Sequence, residues 1–166
     1  MIYDISQPVF ECKVFPGDPQ PERTVMASMD TGSAYNLTAF SMCAHNGTHI
    51  DAPCHFIING KSVDQINLSR FIGPDYVETH HGEVNEADAA NYFAQAGIEL
   101  IGNESQTVGP EDAPMEVHLA LLSKEVVLLE GIRLAHVPDG VYFLNCSPLN
   151  LTGADGAPCR AVLMDV

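Results

Sequence analysis

The sequence predicts a mixed α/β fold with more strand than helix. Three observations carry this. Short apolar runs recur along the whole chain, Pro- and Gly-rich turns separate many of them, and only two stretches, both in the second half, have helical character. With 46 % apolar and 17 % charged residues in 166, the chain can bury a sizeable core, and residues 1–166 are expected to form a single domain.

In chain order, "MIYDIS" (1–6) reads as a short strand and "ECKVF" (11–15) as a second. "FPGDPQPE" then breaks regular structure, because proline fixes φ and Pro-Gly favours a tight turn. "YNLTAFSMCA" (35–44) reads as a buried strand, and "DYVETH" (75–80) as another. "NEADAANYFAQAG" (85–97) has an acidic start, helix-forming alanines and a closing glycine, so it reads as a helix. "IELIG" (98–102) follows as a strand and "PMEVHLALLS" (114–123) as a helix. "EVVLLEG" (125–131), "DGVYFLNCSPL" (139–149) and "CRAVLMDV" (159–166) complete the strands.

Composition narrows the function classes. Seven Lys and Arg against 22 Asp and Glu give a formal charge of -15, which repels phosphate backbones and anionic lipid, so neither nucleic acid nor a membrane is expected as a partner. No apolar run nears the roughly 20 residues of a membrane span, and "MIYDISQPVF" lacks the basic and apolar regions of a signal peptide. A cytoplasmic protein is expected. Cys12, Cys43, Cys54, Cys146 and Cys159 are odd in number, widely spaced and without a C-x-x-C pair, which suits reduced, mostly buried thiols.

The densest chemistry lies in "AHNGTHIDAPCHF" (44–56). His45, His49, Asp51 and His55 share odd parity and would leave one face of an extended chain. At about 3.3 Å per residue, positions 49 and 51 lie about 7 Å apart, within reach of one ion, whereas 45 and 49 would be about 13 Å apart. The chain must fold back, and Asn46-Gly47 tolerates the positive φ this needs. Gly47 and Pro53 speak against a helix, so the motif is placed on a strand end and a tight loop. His45, His49 and Asp51 then form a three-ligand set suited to Zn²⁺ or Mn²⁺ with positions left for water; the plain alternative is a set of surface or hydrogen-bonded histidines. His118, in a helix pattern, and Glu130, ending "VVLLE", could be ligands or could have ordinary capping and surface roles.

Other motifs carry less. "NGKS" (59–62) lacks the earlier glycine of a phosphate loop, no G-x-S-x-G occurs, and Cys54 points away from its neighbour His55 in an extended stretch. His80 and His81 read as solvated, and His136 has no special signal.

"HNGTHIDAPCHF" resembles the H-x-G-T-H-x-D-x-P-x-H-F signature of the cyclase family of metal-dependent hydrolases, whose best-known members are bacterial kynurenine formamidases. "FPGDPQPE" is similar to the family's aromatic-P-G-D turn, and "GIELIGNESQTVGPEDAPMEVHLALL", "VVLLEGI" and "VPDGVYFLNCSPLNLTGADGAPCRAVL" extend the resemblance over most of the chain. It implies a swivelling β/β/α domain assembled as a homo-oligomer, dimer or tetramer. It also implies one metal on His45, His49 and Asp51, with Asp51 bridging to a second on His118 and Glu130, His55 as general acid/base and Phe15 against the substrate. Family members usually run past 200 residues, and here a helix and a strand between "DYVETH" and "GEVNEADAANYF" are missing, so the middle is shortened.

The expected activity is hydrolysis of a small amide (formamide, aryl formamide or cyclic amide) by metal-bound hydroxide. His55 would move the proton from water to the departing nitrogen, and the Thr48 hydroxyl would donate to a ligand or serve the turn. Two alternatives stand beside it: a catalytically silent metal- or metabolite-binding relative, and a lactone or ester hydrolase.

Overall fold

The computed structural model describes residues 1–78, 87–110 and 115–166. Its strands are β1 (Ile2–Asp4), β2 (Glu22–Ala27), β3 (Leu37–Ser41), β4 (His49–Asp51), β5 (Ile72–Val77), β6 (Leu100–Gly102), β7 (Val127–Glu130), β8 (Gly140–Asn145), β9 (Gly156–Pro158) and β10 (Val162–Asp165). The helices are α1 (Ala87–Ala96) and α2 (Met115–Leu122). Among the described residues no helix is long and apolar enough to cross a membrane.

Two four-stranded sheets form the body. One is antiparallel throughout in the order β1-β10-β8-β5; the other runs β6-β7-β4-β9, with β6 and β7 parallel and the remaining pairs antiparallel. Tyr142, Leu144 and Leu163 of the first sheet meet Ile50, Val127, Leu129 and Ala157 of the second in one core. On the other face of the second sheet, Leu128 packs with Ala90 of α1 and Val117, Leu121 and Leu122 of α2. The layers are therefore sheet, sheet and helix, the β/β/α arrangement expected, with few helices.

Strand β7 explains the order of the layers. "VLLE" is buried at all four positions, since Val127 and Leu129 face the sheet partner while Leu128 faces the helices. A strand covered on both faces reads as a continuous apolar run rather than an alternation. Each fully buried leucine contributes about 1.5–3 kcal/mol of transfer free energy.

Several expected elements differ. "ECKVF" forms no strand: a 3-10 turn covers Val9–Glu11, and the Gln7 side chain captures the Lys13 amide at 3.0 Å, so no ladder forms. The strand within "YNLTAFSMCA" exists as β3, but it is exposed rather than buried, because it pairs only with β2 in a separate hairpin. β5 begins at Ile72, upstream of "DYVETH"; an edge strand tolerates Pro74, which has no ladder proton to give. β2 and β9 were not foreseen. Gly97 has φ +76° directly after α1, the left-handed closing residue its pattern predicts. His80 and His81, and the shortened join at 79–86, lie outside the described residues.

Candidate metal centre

The site is assembled by strand register. In the β4–β7 pair His49 lies opposite Glu130 and Asp51 opposite Leu128. Ile50 points into the core between the sheets, so His49 and Asp51 take the helix-facing side along with Leu128 and Glu130. His118 enters from α2, which packs on that side. His45 returns over a turn at Gly47, whose φ is +67°, as the spacing requires. Gly131, at φ +69°, closes the far end of β7. A Cβ there would stand 2.3 Å from the Gly47 carbonyl oxygen, so the close approach of the two loops requires glycine at position 131.

Carboxylates and imidazoles interleave in this space. His45 Nδ1 lies 2.8 Å from Asp51 Oδ1, and His49 Nε2 lies 3.3 Å from both Asp51 Oδ1 and Glu130 Oε2. His118 Nε2 is 3.4 Å from Asp51 Oδ2 and 3.5 Å from Glu130 Oε1. His55 Nε2 stands 4.0 Å from Asp51 Oδ2. Among the described residues three groups present ligand atoms close enough to share an ion: His45–His49–Asp51, Asp51–His55–His118 and His45–His55–Asp155. The first is the set the motif spacing predicts, and Asp51 belongs to two of the three.

Electrostatics favours a cation here. Asp51, His49, His118 and Glu130 are all almost fully buried. His49 Nε2 and Asp51 Oδ2 make no hydrogen bond of proper geometry, close as their neighbours are. Leaving such a buried group unsatisfied costs about 1–3 kcal/mol, which a bound cation would offset. Burial opposes charge on His49, yet Asp51 and Glu130 outweigh it and carry its pKa up to about 10. Burial likewise opposes charge on Asp51, but contacts with His118, His45 and His49 hold its carboxyl well below the usual range. His55 differs: burial dominates and pushes its pKa below the usual histidine value, favouring the neutral ring that can accept a proton.

These residues open on a cavity of about 380 Å³ lined by Phe15, Cys43, Phe56, Gln106 and Thr107 among others. Phe15, expected against the substrate, thus sits in the wall, and Phe56 stacks on His118 with ring centroids 4.5 Å apart. Of the two roles expected for Thr48, its hydrogen bonds fit service to the turn. Its hydroxyl donates to Gly131 O at 2.8 Å and accepts from the Gln7 amide at 2.9 Å, so it braces the loops around β4 instead of donating to a ligand. Gln106, donating to His45 O at 2.8 Å, and Asp155 were both missed. The only signal for Asp155 was an acid set in the Gly-rich turn "TGADGAP".

Comparison with known proteins places this geometry among relatives. The family model described as "Putative cyclase" matches residues 3–90. A kynurenine formamidase of Bacillus cereus is 33 % identical over 202 aligned positions, which take in 98 % of this chain and 97 % of the relative. Those positions outnumber the 166 residues here, so the relative carries internal segments this chain lacks. A solved structure of a predicted metal-dependent hydrolase from Bacillus stearothermophilus superposes with a TM-score of 0.83 at 28 % identity, covering 98 % of this chain and 97 % of that one. Isatin hydrolase A from Labrenzia aggregata shares the fold with a TM-score of 0.82 at 21 % identity, over 99 % of this chain and 93 % of that one.

Proposed function

This chain belongs to the cyclase family, and on that premise we propose that it is a metal-dependent hydrolase of a small amide, whether a formamide, an aryl formamide or a cyclic amide. The similarity to kynurenine formamidases supports a hydrolase of arylformamidase-like kind. One structural observation carries the reading: a buried imidazole nitrogen and a buried carboxylate oxygen, His49 Nε2 and Asp51 Oδ2, lack hydrogen-bond partners within a cluster of four histidines and three acids beside a cavity.

In this reading His45, His49 and Asp51 would hold one divalent ion, Zn²⁺ or Mn²⁺, and Asp51, His118 and Glu130 would hold a second. Such an ion brings the ionisation of water towards neutral pH and polarises a carbonyl oxygen. The remaining work belongs to the chain. Glu130 is kept in place by the Val108 amide, which donates to its Oε1 at 2.7 Å. His49 Nδ1 donates to Gly47 O at 3.0 Å, which leaves Nε2 directed at Asp51 and Glu130. His55, neutral near pH 7, takes a proton from the attacking water and returns it to the departing nitrogen. Phe15 and Phe56 offer an apolar wall to an aromatic amide.

The same reading treats residues 1–166 as one cytoplasmic domain that assembles as a homo-oligomer, dimer or tetramer. Val25, Met26, Leu37 and Phe40, exposed on the β2–β3 hairpin, support contact with a further copy. Metal analysis of protein purified without chelator, combined with turnover of N-formyl aromatic amines and cyclic imides, tests the function. Bound zinc or manganese with amide turnover is the expected result. Metal without turnover of any carbonyl substrate would leave a silent binding protein, and protein that takes up neither ion would end the proposal.

A further inference from the structure

Asp155 links two histidines with different tasks. Its Oδ2 lies 3.1 Å from His45 Nε2 and 3.4 Å from His55 Nδ1. The two rings stack, with centroids 4.1 Å apart and planes 25° from parallel, so one carboxylate oxygen reaches the same edge of both. His45 is a candidate ligand through Nδ1, and His55 is the proposed proton carrier.

The backbone holds this acid in place. The Ala52 amide donates to Asp155 O at 2.9 Å, pinning the residue to the end of β4. The next residue, Gly156, pairs with Asp51, and a Cβ there would meet His45 Cε1 at 2.6 Å and Ile50 O at 2.7 Å. Only glycine lets the His45 ring lie this close to β9, and the ring in turn meets the neighbouring carboxylate. The Asp155 side chain is half exposed, so nothing in the core requires an acid at this position. Its side chain meets both histidines, and it lines the cavity.

We propose that Asp155 is a positioning residue: it accepts the Nδ1–H of His55, so that the ring presents an unprotonated Nε2 to the reacting centre. A neutral imidazole carries one N–H, and the hydrogen bond made by one nitrogen decides what the other can do. Nδ1 faces Asp155, while Nε2 is on the side of Asp51 and His118. A separation of 3.4 Å is long for a hydrogen bond, as catalytic hydrogen bonds often are before substrate binds. Asp51 cannot fill this role because its oxygens are directed at His45, His49 and His118. Asparagine at position 155 could turn its amide NH₂ to Nδ1, which favours the Nε2–H tautomer and removes the base.

The inference rests on the proposed hydrolysis for its kinetic half only; the tautomer is measured without turnover. Two variants, Asp155→Asn and Asp155→Glu, are loaded with zinc and compared with the parent, using formanilide as substrate and ¹⁵N spectra of His55. Asp155→Asn is expected to lower kcat about ten- to hundredfold, with KM within about twofold, zinc content unchanged and His55 moved to Nε2–H. Asp155→Glu should recover part of kcat and keep Nδ1–H. Loss of zinc in Asp155→Asn would place the task of Asp155 on the ion or on its ligand His45 and overturn the inference, as would an unchanged kcat or an unmoved tautomer. If the parent hydrolyses no amide the function falls, while the tautomer of parent and variant still decides the positioning role.

Discussion

The β4–β7 pair and the β2–β3 hairpin are both antiparallel two-strand ladders, yet only the first has a surface to face on each side. All seven residues of β4 and β7 are buried, whereas every residue of β2 and β3 except Ala27 is exposed. A slip of one residue in β4 would push Ile50 out among the acids and drive His49 and Asp51 into the core between the sheets, so burial fixes its register. The hairpin has no such constraint, and its register shifts between Val25 and Ala27. What places charged groups within 3.3 Å of one another is therefore packing on both faces, since the ladder alone occurs in both places.

The largest expected effect comes from the acid shared between two of the candidate ligand groups. Asp51→Ala should abolish zinc or manganese uptake and reduce amide hydrolysis to background, as read by elemental analysis and an activity assay. In chelator it should also lower the unfolding free energy by about 3–5 kcal/mol in a urea titration, because it leaves buried imidazoles without their counter-charge. A variant that binds metal and stays as stable as its parent would erase the contrast between the two ladders.

Next in size is His55→Ala. His55 lies outside β4 and is less buried than Asp51, so its loss should preserve metal content and stability while lowering kcat about 10²- to 10⁴-fold. Full activity in that variant would remove the proton-transfer role and leave the ligand cluster untouched. Leu128→Ala then tests packing alone. The side chain is fully buried under the helices on the strand that carries Glu130, and truncation should cost about 2–5 kcal/mol by chemical denaturation. Loss of metal affinity alongside would show that the register of β7 depends on its helix-side contacts.

How far this could be read from the sequence follows the same division. His45, His49 and Asp51 lie within seven residues of one another, so spacing and one Asn-Gly turn sufficed to bring them together. His118 and Glu130 reach Asp51 only through the docking of α2 and the β4–β7 register, neither of which leaves a local mark, and the family resemblance was needed to choose them over surface roles. Asp155 touches His45 across 110 residues of chain, from a turn whose glycines and acid have an ordinary explanation. Among the strands, "VVLLE" was legible because double burial writes an apolar run. "ERTVMA" was not, because a strand with no buried face has no alternation to show. β9 is "GAP", and its proline and glycine argue against a strand except at a sheet edge, which is where it lies.

The smallest expected effect is in the hairpin, and there the concentration of protein matters more than the side chain. Val25 is 57 % exposed and Phe40 is also 57 % exposed, the latter touching Phe10 edge-on at 6.4 Å. Val25→Thr should change the unfolding free energy by no more than about 0.5 kcal/mol at dilutions where chains are separate, because the side chain leaves little apolar area out of water. If a second copy covers this face, the parent gains stability with concentration and the variant gains less, since association with the folded form stabilises it by mass action. Denaturation at two concentrations therefore separates the cases. A gap that widens with concentration makes the hairpin a ladder whose missing face is supplied by another chain, bringing it closer in kind to β4–β7. A penalty of several kcal/mol at high dilution would mean instead that the hairpin is buried within its own chain, contrary to its exposure.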